Sequence, residues 1–365
     1  MRVVIACCGL EHVVRGYESA GRELFDALSG HLDVVLCKGS GKRGKNEVVV
    51  PCLRRDFLER FISPAKAFYW EQMTFALGLL PYLLLHKVDI VHYSEARFGN
   101  ALVRLVRWTG LKTRLLYSNG GPHSPARFHP GVFILQVCGP YLQAALDFGI
   151  PAERMRLLPY GIAPEQFRLP EGRAAAREQF HLPPDKLVIL SMAALSRTHK
   201  RIDYLIREVA ALNDDSIVLC MAGQETAETP EMRALAEELL PGRHRFLTVP
   251  RARVPALLAA ADLVVLASLR EGFGMVLIEA CSAGVPVICH DWENFRWVLG
   301  DAAVYADMET PGALAASLRM VARDSEKLRA LGVLGRARVD QHYSWRVLVP
   351  RYLEMYRSIL DAPGA

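Results

Sequence analysis

The run EGFGMVLIEACSAGVPVI, residues 271–288, constrains the fold of this 365-residue chain more than any other stretch. Ahead of it lies the apolar run Leu263-Val264-Val265-Leu266-Ala267-Ser268, and Gly284 and Pro286 lead into a second short apolar run. The pattern predicts strand, tight glycine loop, helix, glycine stop and strand. A helix starting near Gly274 presents unpaired backbone N–H groups and the positive end of its dipole, which suit a phosphate. The glycines let a ligand approach the backbone closely. Glu271 then stands in the loop facing that ligand. Glu279 stands in the second helical turn, ~7 Å further along at ~1.5 Å per residue. Two acceptors so spaced can grip hydroxyls at two places on one long ligand, such as a sugar joined through a diphosphate to a ribose. The alternative is a solvated loop carboxylate and an exposed helix face. Glu279 fits that poorly, because it lies within Met275-Val276-Leu277-Ile278-Glu279-Ala280-Cys281, where a carboxylate needs a partner.

The same alternation runs along the whole chain. Residues 2–7, 33–37, 48–50, 89–93, 114–117 and 132–137 read as strands, and 19–29, 69–85, 101–109 and 141–148 as helices. After a polar stretch at 167–173, a second series begins. Its strands are expected at 187–192, 216–222, 244–249, 263–267 and 285–289, and its helices at 204–212, 231–239, 254–260 and 275–283. The expected fold class is α/β, with two Rossmann-like domains at 1–168 and 169–344 and a cleft between them for the ligand. Residues 345–360 read as an amphipathic helix with Ser344 as its N-cap.

A hydrophobic content of 51% supports large cores. The first ten residues are too short an apolar stretch for a signal peptide, and residues 75–85, interrupted by Pro81, fall far short of the ~20 needed to span a bilayer. The eight cysteines form no CxxC pair. Cys7, Cys37, Cys220 and Cys289 sit in strand-like runs, so buried reduced thiols and a cytoplasmic location are expected. Residues 1–170 hold 21 Lys/Arg against 14 Asp/Glu, a balance of +7, while the remainder holds 23 against 25. A basic first half points to an anionic partner, and no nucleic-acid motif accompanies it. Residues 54–61, with Lys66, Phe68, Tyr69 and Trp70, mix basic and aromatic side chains. Such a stretch suits peripheral contact with an anionic membrane, or packs as a helix within the first domain.

These residues resemble the retaining GT-B glycosyltransferases of glycosyltransferase family 4 over nearly the whole chain. Glu271-Gly272-Phe273-Gly274 with Glu279 is similar to that family's E-x7-E signature. Residues 245–250, Met221-Ala222-Gly223 and Leu158-Pro159-Tyr160-Gly161-Ile162 resemble its other segments, with Tyr160 where the family has Asn. The resemblance implies that the last helix, 345–365, crosses back onto the N-terminal, acceptor-binding domain, and that 169–344 binds the nucleotide-sugar donor. It implies that Glu271 meets the donor sugar, Glu279 the ribose, and Phe273 and the N–H groups of Gly274 and Met275 the sugar or diphosphate. The family's diphosphate cations are an Arg and, six residues later, a Lys. Lys200 keeps its place, but Ala194 stands at the Arg position, leaving Arg197 or Arg201 to supply the missing guanidinium. On the acceptor side, residues 9–18 resemble the family's glycine-rich loop, with Gly16 offering backbone N–H groups to the phosphate. Asn119 falls where the family often has a His, which His123 or His129 would replace.

The reaction so implied is transfer of a hexose-type sugar from a UDP- or GDP-linked donor to an acceptor hydroxyl, with retention and without metal or further cofactor. Lys200, an Arg and the helix terminus would stabilise the leaving diphosphate. The acceptor is an unknown hydroxyl compound in glycan, glycolipid or glycosylated-metabolite synthesis. A non-catalytic nucleotide-sugar or carbohydrate binder, and a sugar-nucleotide epimerase, are alternatives on the same scaffold.

Overall fold

The computed structural model describes residues 1–13, 16–169 and 172–362, apart from the Tyr17 side chain. The chain divides into two compact units, Met1–Gly161 with Trp345–Ala365, and Ile162–Ser344.

The first unit is built on a parallel sheet of seven strands, β1 (Arg2–Cys7), β2 (Asp33–Lys38), β3 (Glu47–Val49), β4 (Ile90–Tyr93), β5 (Arg114–Asn119), β6 (Phe133–Gln136) and β7 (Met155–Leu157), in the order β3-β2-β1-β4-β5-β6-β7. Its helices are α1 (Gly16–Leu28), α2 (Arg55–Leu58), α3 (Pro64–Leu85), α4 (Ala96–Thr109) and α5 (Gly139–Asp147). Helices on both faces explain why β1 reads as a nearly continuous apolar run. On one face Phe75, Leu79 and Leu83 of α3 and Phe98 and Leu102 of α4 pack against Val4, Val91 and Tyr117. On the other, Leu24 and Leu28 of α1 join the last helix of the chain, Trp345–Asp361, against Val3, Ile90 and Leu116.

That last helix is tied to the first unit by polar contacts as well as packing. The Tyr356 hydroxyl and His92 Nδ1 share a hydrogen bond of 2.8 Å, and the Tyr352 hydroxyl donates to the Pro159 carbonyl at 3.1 Å. Gly161 is required here, because a Cβ on it would lie 2.7 Å from the Trp345 ring. The Ser344 hydroxyl donates back to the Asp340 carbonyl. The last three residues of the expected helix, 363–365, lie outside the described residues.

The second unit carries a parallel sheet of six strands, β8 (Leu187–Met192), β9 (Ile217–Ala222), β10 (His244–Leu247), β11 (Leu263–Leu266), β12 (Val287–His290) and β13 (Ala303–Ala306), in the order β10-β9-β8-β11-β12-β13. Its helices are α6 (Arg173–Gln179), α7 (Ile202–Ala210), α8 (Thr229–Leu239), α9 (Val254–Ala260), α10 (Met275–Ala283), α11 (Glu293–Leu299), α12 (Ala313–Val321) and α13 (Ser325–His342), so that Trp345–Asp361 is α14. Both sheets reverse strand order once, between β1 and β4 and between β8 and β11, the doubly wound Rossmann arrangement whose ligands gather at that reversal. The architecture is the GT-B fold of two Rossmann-like α/β domains.

The seam at Gly161/Ile162 precedes the polar stretch at 167–173. Ile162 N–H donates to the Tyr343 carbonyl at 2.9 Å, Phe167 is buried, and Arg168 pairs with Asp340 at 2.8 Å, so residues 162–168 pack with the second unit. Pro81 does not interrupt its helix: α3 runs through it from Pro64, which occupies the first turn where its missing N–H costs nothing. The carbonyl that Pro81 leaves without its helical donor belongs to Leu77, on the exposed side of the helix where water can serve it.

Candidate functional site

In the second unit the loops that leave β8 and β11 meet at the sheet's switch point. Residues 193–201 follow β8 and residues 267–274 follow β11. They bring Lys200 Nζ into a hydrogen-bonded ion pair with Glu271 Oε1, both side chains largely buried. Two residues expected to share one ligand are therefore in contact.

The β8 loop is held from behind by the loop after β9. Gly223 is glycine because a Cβ there would stand 1.8 Å from the Ala193 carbonyl oxygen. The Thr226 and Thr229 hydroxyls donate to the Leu195 carbonyl at 2.9 and 3.1 Å. Glu228 accepts the Arg197 N–H at 2.7 Å, the Thr198 N–H at 3.2 Å and the Thr198 hydroxyl, and these bonds hold its carboxyl below the usual range. His199 is exposed, and the partial burial of its ring, then the Lys200 charge, pushes its pKa down. Neighbouring cations are directed elsewhere. The Arg197 guanidinium faces Glu231 at 3.7 Å, and Arg201 donates to the Met308 carbonyl at 2.6 Å and lies 4.2 Å from the Tyr204 ring centroid.

The β11 loop ends at Gly274, whose φ of 79° is left-handed and favours glycine. That turn starts α10 with its first N–H groups, at Met275 and Val276, directed out of the sheet's carboxyl edge. Phe273 is placed otherwise than expected of a donor contact. It is 3% exposed and packs edge-on against Tyr343 at 5.6 Å, so it anchors the loop. Glu279 is 4% exposed among Leu277, Ile278 and Ala280. Its partner is Arg251 Nη1, at 2.7 Å, from the short turn Arg251–Arg253 ahead of α9. Arg251 is the residue that sequence reasoning missed. The only signal was the unfilled need of Glu279 for a cation.

Two further buried polar groups lie at the same carboxyl edge. Ser268 Oγ, just beyond β11, and both amide atoms of Asn294, in the first turn of α11, have no hydrogen-bond partner among the described residues. Asn294 adjoins Phe295, whose ring would be 3.3 Å from a Cβ on Gly274. A polar group so buried without a partner is costly, which marks it as a group with a polar ligand or water to meet.

The first unit has its own switch point, between β1 and β4. A cavity of about 30 Å³ lies there, lined in part by Cys8, Glu18, Ser94, Glu95 and Ser118. It has room for about one water, not for a sugar. A Cβ on Gly9 would stand 2.4 Å from a Glu18 carboxylate oxygen, so a larger residue there would have to displace that side chain. A Cβ on Gly16 would meet open space. Val14 and Arg15 of the same loop lie outside the described residues. His123 is exposed, and burial of its ring, then Arg127, moves its pKa down. His129 is committed to its own turn through a 3.0 Å bond from the Gly131 N–H, and Asn119 is buried with its amide donating to Gln136 Oε1 at 2.8 Å. Among the described residues no group of three or more His, Cys, Asp or Glu is arranged to hold a metal ion.

Residues 172–338 match the family described as Glycosyl transferases group 1. A D-inositol 3-phosphate glycosyltransferase of Thermobispora bispora is 29% identical over 227 residues, 58% of this chain and 52% of that one. An MMP alpha-(1->4)-mannosyltransferase of Mycolicibacterium hassiacum is 25% identical over 224 residues, 60% and 52% respectively. The matched part spans about half the length of these curated relatives. In fold, sucrose-phosphate synthase from Thermosynechococcus elongatus superposes with a TM-score of 0.83 over 99% of this chain and 100% of that one, at 19% identity. Anabaena Alr3699/HepE in complex with UDP and glucose gives 0.80 over 98% and 100%, at 16% identity.

Proposed function

We propose that the protein is a glycosyltransferase that moves a hexose-type sugar from a UDP- or GDP-linked donor to an acceptor hydroxyl, with retention and without a metal. The observation that carries this reading is the Lys200–Glu271 pair at the β8/β11 switch point, beside the start of α10. A diphosphate there would meet the Lys200 ammonium and the N–H groups of Gly274 and Met275, charge-assisted donors that strengthen as negative charge grows on the leaving group. Glu271, one turn away in the loop, would accept from sugar hydroxyls, and Glu279 from the ribose. The glycosyltransferase matches over 172–338, and the UDP and glucose bound by the Anabaena protein on the same fold, support this assignment. Retention fits front-face substitution, in which the acceptor oxygen bonds to the anomeric carbon on the face from which the diphosphate leaves and passes its proton to that diphosphate, with no carboxylate nucleophile at ~5 Å forming a covalent sugar.

Ala194 favours a second reading, a non-catalytic nucleotide-sugar binder, because neither Arg197 nor Arg201 is directed to the diphosphate position taken by Lys200. Incubation with UDP- and GDP-sugars and a panel of hydroxyl acceptors, with release of free nucleoside diphosphate as readout, separates them. Release that depends on the acceptor and disappears in Glu271→Gln supports transfer. Saturable binding with no release establishes the binder, and product NMR showing an inverted anomeric centre overturns retention.

A further inference from the structure

The first unit carries a surface that donor chemistry does not use. Among the described residues, nine of the fourteen exposed large apolar side chains fall between Leu53 and Trp108. Leu53 and Phe57 flank or belong to α2, and Phe61, 72% exposed, follows it. Trp70, Leu77, Leu84 and Leu85 run down the outer side of α3, with Leu85 80% exposed. Trp108, at the end of α4, is 81% exposed. Helices α3 and α4 lie side by side, since both pack into the same core on one face of the sheet. Arg97 of α4 lies 5.9 Å from the Tyr69 ring of α3, so their outer sides join.

The charges on this surface are mostly positive. Between residues 53 and 112, eight Lys/Arg side chains are exposed but only two carboxylates, Asp56 and Glu59. On α4 the exposed charged residues are Arg97, Arg104 and Arg107, and the helix contains no acidic residue. Exposed aromatic and leucine side chains set among arginines match the boundary of an anionic bilayer, where rings and alkyl chains enter the interface and cations meet lipid phosphates. A protein partner of the same chain would have to place these eight cations against like charges, at a cost. No helix among the described residues is long and apolar enough to cross a membrane, so the contact is with the surface.

We propose that the outer side of α2, α3 and α4 docks the protein on an anionic lipid surface. The test is sedimentation of the purified protein with vesicles of phosphatidylcholine plus phosphatidylglycerol, and with phosphatidylcholine alone, at low and high salt. Binding should require the anionic lipid and fall with salt. Arg104→Gln with Arg107→Gln should lower the partition coefficient about 25-fold, at about fivefold per cation. Trp108→Ser with Leu85→Ser should weaken binding at both salt concentrations. All four side chains are exposed, so thermal melts of both variants should match the parent. Binding that ignores lipid charge, or no binding at low salt, overturns the proposal. So does a dimer in light scattering that the same variants dissociate, which would assign this face to a second copy of the chain.

Discussion

The Arg251–Glu279 pair makes a prediction that separates burial from function. Glu279 is 4% exposed, whereas the Arg251 side chain is 41% exposed, so the two partners do not depend on each other equally. Removing Arg251 leaves a carboxylate inside α10 with its main cation gone, which costs about 3 kcal/mol in a buried pair. At about 2–4 °C per kcal/mol for a domain of this size, Arg251→Ala should lower the melting temperature by roughly 6–12 °C. Removing Glu279 leaves a guanidinium that water can reach, so Glu279→Ala should cost only about 1 kcal/mol, or roughly 2–4 °C. Ligand affinity should run differently. If Glu279 accepts from ribose hydroxyls, each charge-assisted bond is worth about 1.5–3 kcal/mol, and Glu279→Ala should weaken UDP or GDP binding about 10- to 150-fold. Calorimetric melts and titrations of both variants read the two quantities separately. Equal loss of melting temperature would mean that the carboxylate is not effectively buried. Undiminished affinity for every nucleoside diphosphate would remove Glu279 from the ribose.

Asn294→Leu removes a buried amide that has no partner among the described residues, so it should leave the melting temperature unchanged or raise it. The same variant should lose nucleotide-sugar affinity if the amide serves the ligand, and titration calorimetry beside a melt distinguishes the cases. In the first unit, the Glu47 carboxyl is held down at about 2, first by its bond from Arg22 and then, against burial, by Lys38. A carboxyl depressed on folding stabilises above its unfolded value of about 4.3 and loses that contribution as pH falls toward 2. Glu47→Gln should therefore flatten the acid limb of the stability curve between about pH 4.3 and 2, and an acid titration with the same steepness in both proteins would refute the coupling. Lys200→Met and Glu271→Gln should be non-additive in donor binding, since each single change leaves the other's charge without its present partner. Strict additivity in titrations with an NDP-sugar would show that the pair does not act as one unit.

How much of this was legible depended on whether a residue's role is set by its neighbours in sequence or by contacts across it. Helix α10 was read at its true ends because both are fixed locally: Gly274 and Gly284 take φ of 79° and 77°, conformations that glycine alone adopts easily. The two doubly wound sheets were legible for the same reason, since each strand buried on both faces is a short apolar run. Strands β7 and β13 were not read, being three and four residues that take their pairing from an established edge. Residues in loops carry no period, so neither exposure nor direction can be inferred from their order. Phe273 looked like a loop aromatic open to ligand and is a buried anchor on Tyr343, 70 residues away. Arg201 stood in the right loop to replace the guanidinium missing at Ala194, yet its direction is set by the Met308 carbonyl, 107 residues on. Arg251 shows the converse. Its place near a carboxylate follows from α9 and α10 packing together, which sequence order does not reveal, while the need for it was already written in Glu279. A charged residue inside an apolar helical run therefore predicts that a partner exists, and the fold decides which cation that is.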